Sequence, residues 1–313
     1  MPPYGFRVVG GRHGDRRLID YARAFHAYCG LECDTNHEAY LSAFRYGDDF
    51  RALDSGRKVL TKGFAGDCWS DWLWFDIDNE ELSQSHQDCQ RLVSLLLERY
   101  SLDDDELLLF FSGSKGYHVG LATGLWTPEP STEFNSRCKA MAVRLAELAG
   151  VTIDRIYDRV RLFRAPNSRH QKTGLYKRRI ELETLIRLTA SGVAELARQP
   201  MAFELPEPPA INETAVADWQ AAIARTSEVT ELRQSSKANA SLNRQTKEII
   251  KGDFLPANGD RHRLLFSAAA NLAELGCPLS LAHELLSETG LNSGLPPSEV
   301  ARQIDCGWKH GGR

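Results

Sequence analysis

The sequence predicts a mixed α/β (α+β) domain followed by a small all-helical domain. Three observations lead to this fold class. Helical and strand-like segments alternate up to about residue 200, a proline-rich acidic stretch "QPMAFELPEPPAINET" follows, and almost everything beyond it has helical periodicity. We therefore predict a first domain over residues 1–205, a linker containing one helix over 206–245, and a helical domain over 246–313.

Length and composition limit the classes of protein. A chain of 313 residues suits two compact units, and its net charge of −4 argues against coating nucleic acid by bulk charge. Any nucleic-acid site must then be a local patch. The first residues lack the apolar core of a secretory signal, no run approaches membrane-spanning length, and seven cysteines fit a reducing compartment. We expect a cytoplasmic protein that does not contact a membrane.

The elements of the first domain are predicted from periodicity. The first fifty residues are expected to be mainly helical, since apolar positions recur every three or four residues in "LIDYARAFHAYC" and "HEAYLSAFRY". A strand "WLWFDID" and a helix "CQRLVSLLLERY" follow. Next come a hairpin "ELLLFFSGSKGYHVGL", a helix "NSRCKAMAVRLAELAG", and strand-like segments that alternate with a basic turn up to about residue 182.

The C-terminal part is predicted to be helical throughout. The segments are "AVADWQAAIART", "RHRLLFSAAANLAELG", "SLAHELLSETG" and "PPSEVARQIDCGWKH". Gly276 and Gly290 stand where helix ends are expected, and Ser280 and Ser298 where helix starts could be capped.

Two aspartates end the aromatic strand "WLWFDID". Side chains alternate along a strand, so Asp76 and Asp78 share one face with Trp72 and Trp74. Two such carboxylates repel each other unless a cation lies between them. The alternative is a strand end whose acids simply reach water. Further along, Asp154 is another carboxylate that follows a hydrophobic stretch.

The hairpin turn "SGSKGYH" has the composition of an anion site. Its two glycines permit tight backbone geometry and leave peptide N–H groups free to face an anion. Two hydroxyls, an ammonium and an imidazole add to this: Ser112, Ser114, Lys115 and His118. The set suits a triphosphate, although the chain contains no GxxxxGK[ST] loop. A solvated turn is the alternative.

A basic segment follows the third acid. Nine Lys and Arg residues lie between Arg155 and Arg179, opposed only by Asp158. Tyr157, Phe163 and Tyr176 are interleaved among them. Arginine with aromatic residues is typical of a groove that follows a nucleic-acid backbone, whereas many charge runs are only solvated faces.

The cysteines allow one metal hypothesis. Cys29, Cys33 and His37 have a loosely zinc-like spacing to which Cys68 could add a fourth ligand. No second CxxC pair exists, so free thiols are the default interpretation.

In this order, the motifs resemble those of the archaeo-eukaryotic primase superfamily of primase-polymerases. "DID" is similar to its first motif, "SGSKGYH" to its Ser-x-x-x-Gly-x-His motif, and Ile153-Asp154 to its third motif. "RLFRAPNSRHQKTG" resembles a segment that ends in Pro-x-Ser-x-His-x-Lys-Thr-Gly. The stretch "NGDRHRLLFSAAANLAELGCPLSLAHELL" is similar to the helical primase C-terminal domain. The resemblance covers most of the chain, and only loosely the first fifty residues.

The resemblance implies a fold, an activity and a site. The fold is a catalytic domain with a sheet like that of an RNA-recognition motif, and the activity is template-dependent nucleotidyl transfer from NTP or dNTP with release of pyrophosphate. One or two Mg²⁺ or Mn²⁺ ions would be held by Asp76, Asp78 and Asp154, with Asp158 as a rival to Asp154. The nucleotide would be bound by Ser112, Ser114, Lys115, Gly116, His118, Arg164, Ser168, His170 and Lys172. The template would be bound by Arg161, Arg169, Lys177, Arg178, Arg261 and Arg263.

Two departures and two alternatives accompany this interpretation. Ser114-Lys115 stands where the family often has two adjacent basic residues, and no helicase motor follows, so unwinding would need a separate partner. The expected partners are a single-stranded DNA template with a primer. A repair- or defence-associated polymerase, such as a ligase- or CRISPR-associated one, is the first alternative. A plasmid or phage replication initiator with an idle polymerase site is the second, and the intact acid trio argues against it.

Overall fold

A computed structural model describes residues 1–154, 156–238, 242–252 and 260–312. The chain divides into two compact units, Met1–Ile223 and Ala224–Arg313. The division lies within the predicted linker of residues 206–245. None of the helices in the described part of the chain is long and apolar enough to cross a membrane.

The first unit alternates strands and helices. Its strands are β1 (Tyr4–Val9), β2 (Arg17–Asp20), β3 (Ala39–Ser42), β4 (Arg45–Tyr46), β5 (Cys68–Trp69), β6 (Trp72–Asp78), β7 (Leu107–Phe111), β8 (Gly116–Ala122), β9 (Leu162–Arg164) and β10 (Arg178–Ile180). Its helices are α1 (Tyr21–Cys29), α2 (Asp48–Arg51), α3 (Leu82–Tyr100), α4 (Phe134–Ala149), α5 (Leu182–Arg187) and α6 (Ala190–Leu196). The division between the units falls within α7 (Glu213–Ala238).

The strands form two antiparallel sheets. One has the order β5-β4-β1-β3-β9, with β2 paired to β1, and the other has the order β10-β7-β8-β6. Helices α3 and α4 pack against β6 of the four-stranded sheet. The prediction of a mixed fold with C-terminal helices is confirmed at this level.

Strand β6 is buried along most of its length. Leu73, Phe75 and Ile77 are almost inaccessible to solvent, as their alternation with the acids predicts. On the other face, Trp74 packs against Phe163 with ring centroids 5.1 Å apart. Only the end of the strand opens toward solvent, and this end carries the two acids.

The expectation of a mainly helical N-terminal region is wrong. "HEAYLSAFRY" contains β3 and β4, and "LIDYARAFHAYC" is helical only from Tyr21, after β2. Residues 39–46 are all buried, including the polar Ser42 and Arg45, so neither face of the segment is exposed. A run that is buried on both faces has no informative period, which explains the confusion of strand with helix.

The second unit is helical, as predicted. Its helices after α7 are α8 (Arg244–Lys251), α9 (Arg261–Glu274), α10 (Leu279–Asn292) and α11 (Pro297–Gly311). A methyl group at Gly307 or Gly311 would lie only 2.2 or 2.1 Å from a backbone carbonyl oxygen of α9. The two glycines therefore allow α11 to pack with its backbone against α9.

The predicted helix boundaries are correct at only one of four positions. Gly276 follows α9 with φ +76°, as a glycine at a helix end should. Gly290 lies inside α10, where an added Cβ would contact Val300, so its small size serves packing. Ser280 and Ser298 are inside α10 and α11, and Pro278 and Pro296 hold the capping positions.

Candidate active site

The chain brings the third acid to the end of β6. The backbone N–H of Asp154 donates to the carbonyl oxygen of Asp76 at 2.8 Å. Close by, the Tyr157 hydroxyl donates to the carbonyl oxygen of Trp74 at 2.7 Å. These bonds hold the segment after α4 alongside β6, so Asp154 lies next to the strand that carries Asp76 and Asp78.

The charges of the three acids act on one another. Burial and the negative charges of Asp76 and Asp78 raise the pKa of Asp154 to about 6. Burial also raises the pKa of Asp78, with Lys115 opposing and Asp76 adding to the rise. The repulsion between the carboxylates is therefore only partly relieved by protein groups.

The type of donor atom in these side chains suits a hard divalent cation. Mg²⁺ and Mn²⁺ prefer carboxylate oxygens, and a cation would remove the repulsion that raises the pKa of Asp154. In the described part of the chain, no three His, Cys, Asp or Glu side chains are already arranged as a metal site. The ion accordingly remains a prediction, supported by the donor atoms and by their mutual charge.

His118 lies directly opposite Asp76 in the β6–β8 pair. Its Nε2 is 3.3 Å from Asp76 Oδ1, and its side chain is buried. Burial, aided by the charge of Lys177 and opposed by Asp76, lowers the pKa of His118 to about 4. Burial of Asp76 opposes its ionisation, but contact with His118 and the charge of Arg161 hold its pKa below the usual value. The His118 Nε2 thus faces the carboxylate of Asp76.

The turn between β7 and β8 closes tightly, as the predicted hairpin requires. The N–H of Gly116 donates to Ser112 Oγ at 3.2 Å, and Gly113 has φ +88°. Lys115 Nζ lies 3.9 Å from Asp78 Oδ1. The turn therefore places an ammonium beside the acid cluster.

The basic turn after β9 contacts this hairpin. Thr173 Oγ1 donates to the carbonyl oxygen of Gly113 at 2.5 Å. His170 Nδ1 accepts from the backbone N–H groups of Lys172 and Thr173 at 3.2 and 3.3 Å. These bonds fix the neutral tautomer of His170, leaving its proton on Nε2.

A cavity of about 130 Å³ lies where these elements meet. It is lined by acids, by hydroxyl groups, by cations and by a few apolar side chains. The residues that line it are Arg12, Tyr40, Asp76, Asp78, Ser112, Ser114, His118, Ile156, Arg161, Leu162, Phe163, Arg164 and His170. The cavity thus brings together predicted residues from three of the four sequence motifs, and Asp154 of the remaining motif is not among the residues that line it.

Sequence reasoning missed Arg12 and Tyr40, which line the cavity, and Glu38, which bonds to both Tyr40 and Arg164. They belong to the N-terminal region that was predicted to be helical. The sequence signal available for Arg12 was its position after two glycines in "GGRHG". In the structure, Gly10 and Gly11 have φ values of +86° and +128°. Tyr40 and Glu38 gave no signal, because their role depends on strand pairing.

Burial contradicts two predicted contacts. The Lys177 side chain is fully buried, and its Nζ donates to the Arg164 carbonyl oxygen at 2.9 Å. Ser168 is also fully buried, and its hydroxyl is hydrogen-bonded to the backbone carbonyl of Ala165. In this structure, neither Lys177 nor Ser168 is accessible for the predicted direct contact with template or nucleotide.

The remaining cations predicted to bind template have local partners. Arg169 donates to the Gly174 carbonyl oxygen, and Arg178 donates to the carbonyl oxygens of Leu196, the last residue of α6, and Gln199. Arg161 lies 3.5 Å from Asp158. In the second unit, Arg261 donates to the Ser293 carbonyl oxygen, and Arg263 pairs with Asp260. Lys172, which is predicted to bind nucleotide, is exposed on its turn. The roles of these residues stay predictions.

The cysteines are free thiols in the described residues. Burial raises the pKa of Cys29 to about 12 and that of Cys68 to about 11. Cys33 is half-buried, and the exposed His37 lies 3.3 Å from Asp34. Among the described residues, these side chains do not form a group that could hold a metal ion.

Comparison with known proteins adds little to this geometry. No family model matches the chain, and no curated protein matches it in sequence. Among solved structures, the crystal structure of primase RepB′ is similar at 12% identity over 97% of this chain and 88% of that chain, with a TM-score of 0.37. A TM-score this low carries no argument about fold or function, so the proposal below rests on the cavity itself.

Proposed function

We propose that the protein is a template-dependent DNA primase-polymerase. It would synthesise or extend short primers from NTP or dNTP units, with release of pyrophosphate. The observation that carries the proposal is the cavity that joins an acid cluster to hydroxyl groups and guanidinium groups. Carboxylates for divalent ions beside cations for phosphates are what nucleotidyl transfer requires.

The acids would hold the divalent ions. Asp76, Asp78 and Asp154 would provide the oxygen ligands, and His118, whose Nε2 lies 3.3 Å from Asp76 Oδ1, would orient Asp76. One or two bound Mg²⁺ or Mn²⁺ ions would lower the pKa of the attacking 3′-hydroxyl and neutralise the leaving pyrophosphate. In the reaction, the 3′-oxygen bonds to the α-phosphorus as the bond to the bridging oxygen breaks.

The nucleotide would be bound by groups around the acids. Ser112, Ser114 and the fixed Nε2–H of His170 supply hydrogen-bond donors that line the cavity. Arg164 supplies a guanidinium, and Lys115 an ammonium at the rim. Gly116 lets β8 approach β6 at this point, since a methyl group there would lie 2.4 Å from the Ile77 carbonyl oxygen.

The template would be bound by exposed or half-buried cations around the first unit's cavity and by the start of α9. These are Arg161, Arg169 and Arg178 in the first unit, and Arg261 and Arg263 in the second. A separately encoded helicase remains the expected source of unwound template.

The test is incorporation of labelled nucleotides by the purified protein on single-stranded DNA, with and without an annealed primer, in Mg²⁺ or Mn²⁺. Template-directed products of defined length would support the proposal. DNA binding without any incorporation under all conditions would instead favour the replication initiator. Incorporation only on gapped or damaged duplexes would favour the repair- or defence-associated polymerase.

A further inference from the structure

Arg164 is a buried cation with an unused donor. Only 8% of its side chain is exposed, and it lines the cavity. Its Nη2 donates to Glu38 Oε1 at 2.9 Å and to the Tyr40 hydroxyl at 3.1 Å. Its Nη1 is buried and has no hydrogen-bond partner among the described residues. An unpaired N–H on a buried guanidinium is costly unless a ligand supplies the acceptor.

Tyr40 links Arg164 to a second arginine. It pairs with Arg164 across β3 and β9, which places the two side chains next to each other. The hydroxyl of Tyr40 also accepts from Arg12 Nε at 3.3 Å and donates to Glu38 Oε1 at 2.5 Å. One hydroxyl thereby uses its proton and both lone pairs to fix the positions of three charged side chains.

The ring of Tyr40 adds a second constraint. The guanidinium carbons of Arg12 and Arg164 lie 5.6 and 5.1 Å from its centroid. Both distances fit a cation–π contact. Two like charges are thus brought to one aromatic ring, although they repel each other. A polyanion that bridges the two guanidinium groups would relieve this repulsion.

The loop that carries Arg12 is built to approach the cavity. The N–H of Gly10 donates to the Glu38 carbonyl oxygen at 2.8 Å, which anchors the loop beside Tyr40. Gly10 and Gly11 adopt backbone angles that L side chains rarely adopt. Arg12 itself is exposed on the loop, so it can turn toward a ligand without unpacking the core.

We infer that Arg12 and Arg164 form a clamp for the polyphosphate of the incoming nucleotide, and that Tyr40 and Glu38 are its positioning residues. This inference rests on the proposed function for the identity of the ligand. The two arginines contact phosphate oxygens, with Arg164 Nη1 as one donor. Tyr40 and Glu38 act through them and touch no reacting atom.

Charge alone does not explain this arrangement. If the cluster only supplied positive potential, Glu38 would weaken it, and the Tyr40 hydroxyl would be irrelevant. The Tyr40→Phe substitution changes no charge and keeps the ring under both guanidinium groups. A loss of anion affinity in this variant therefore reports the positions of the arginines.

The test measures binding of inorganic tripolyphosphate to the full chain by calorimetry, in buffer with EDTA. We expect Tyr40→Phe to weaken binding about five- to tenfold, which corresponds to one hydrogen bond. Arg12→Ala, at an exposed position where folding is not at risk, should weaken it roughly tenfold or more. The loss of tripolyphosphate affinity in the double variant should be smaller than the product of the two single-variant losses, because both substitutions act on the same contact.

Tyr4→Phe is the matched control. The Tyr4 hydroxyl also accepts from an arginine, Arg51 Nη1 at 2.9 Å, and its ring also lies under that guanidinium. Tyr4 does not line the cavity, so its variant should bind tripolyphosphate as the wild type does. Equal affinity of Tyr40→Phe and wild type, or equal losses in Tyr40→Phe and Tyr4→Phe, would overturn the inference.

Kinetics separate this inference from the proposed function. In an active protein, Tyr40→Phe should raise the KM for nucleotide and leave kcat within about twofold. The reason is that the lost interaction stabilises the bound nucleotide equally in the ground state and in the transition state. If the wild-type protein incorporates no nucleotide, the proposed function is rejected. The tripolyphosphate affinities then still test whether Arg12 and Arg164 form the clamp. If incorporation occurs but Tyr40→Phe leaves both KM and tripolyphosphate affinity unchanged, the clamp fails alone.

Discussion

Lys177 illustrates how a single residue can have a different role from the one its type suggests. Its ammonium lies 4.2 to 5.1 Å from the ring centroids of Trp74, Phe110 and Phe163. Burial lowers its pKa well below the usual value, although the charge of Asp76 opposes this. An exposed lysine in a basic segment could bind phosphate, but Lys177 is buried against aromatic rings.

We therefore predict that Lys177→Met leaves template affinity unchanged. The substitution keeps the length of the side chain and removes only the charge and its hydrogen bond. Single-stranded DNA affinity, measured by fluorescence anisotropy, should stay within about twofold of wild type. Arg169→Ala, a change at an exposed position on the same segment, should lower the affinity and the salt dependence together. A large loss of affinity in a correctly folded Lys177→Met would contradict the burial argument.

At the residue scale, the sequence predicts local chemistry well and distant partners poorly. Asp76, Asp78 and the residues of the hairpin turn were found because they stand within a few positions of one another. Arg12 and Tyr40 were missed because only the pairing of β3 with β1 and β9 brings them to the cavity. Ser168 and Lys177 were misplaced because composition alone does not show which side of a short strand or turn is buried.

At the element scale, the hairpin of β7 and β8 depends on Gly116. We predict that Gly116→Ala destabilises the protein by about 1–3 kcal/mol, because the methyl group would meet the backbone of Ile77. Denaturant unfolding measures the change. Gly30→Ala is the control, since φ is −83° there and the nearest atom to a new Cβ lies at 3.5 Å. Equal stability of the two variants would show that β6 and β8 can separate without cost.

The start of α7 is fastened to α3 by an ionised aspartate. Arg99 donates to both oxygens of Asp218 at 2.7 and 2.8 Å, and the Tyr100 hydroxyl donates to Oδ2 at 2.8 Å. Burial opposes ionisation of Asp218, but these bonds hold its pKa below the usual value. A carboxyl group with a lowered pKa stabilises the folded state above its unfolded pKa of about 3.9. That stabilisation is lost as the pH falls through the folded pKa.

We predict that Asp218→Asn costs about 2 kcal/mol at pH 7 and less at pH 3. Unfolding in urea, followed by tryptophan fluorescence, measures the difference, since Trp219 packs against Trp126 and Phe134. Glu183→Gln, in an exposed pair with Arg187, should change the unfolding free energy by less than about 0.5 kcal/mol. A cost for Asp218→Asn that is the same at both pH values would contradict the assignment.

The predicted elements were correct where one face is polar or where turn chemistry is specific. The helices α3, α4, α9, α10 and α11 and the hairpin of β7 and β8 belong to this group. Strands β3 and β4 were mistaken for a helix because burial on both faces removes the period from the sequence.

At the scale of the whole molecule, the first compact unit extends beyond the predicted domain end at residue 205. It reaches Ile223 and includes Trp219 and Asp218, both buried. The proline-rich stretch is a boundary in composition, but the packing of the first unit continues past it. Composition alone could not show this, because contact between α7 and α3 depends on the fold.

We therefore predict that a protein of residues 1–223 is more stable than one of residues 1–205. The shorter protein lacks the Asp218 contacts and the Trp219 ring. Under the proposed function, the 1–223 protein should extend annealed primers but fail on bare template, since initiation needs more groups to hold two nucleotides and a template together. Thermal unfolding and the two assays measure this. Priming of bare template at the full-length rate would reassign the helical unit to partner docking.

The central claim is that three aspartates from two distant segments act together in metal-dependent nucleotidyl transfer. The most direct measurement compares primer extension rates of Asp76→Asn, Asp78→Asn and Asp154→Asn, with Asp158→Asn as the control. The proposal predicts a loss of activity of roughly a hundredfold or more in each of the first three, with cooperative thermal unfolding retained, and a mild effect in the control. Full loss in Asp158→Asn with activity kept in Asp154→Asn would move the third ligand to Asp158. Near-wild-type extension by Asp76→Asn or Asp78→Asn would contradict the claim.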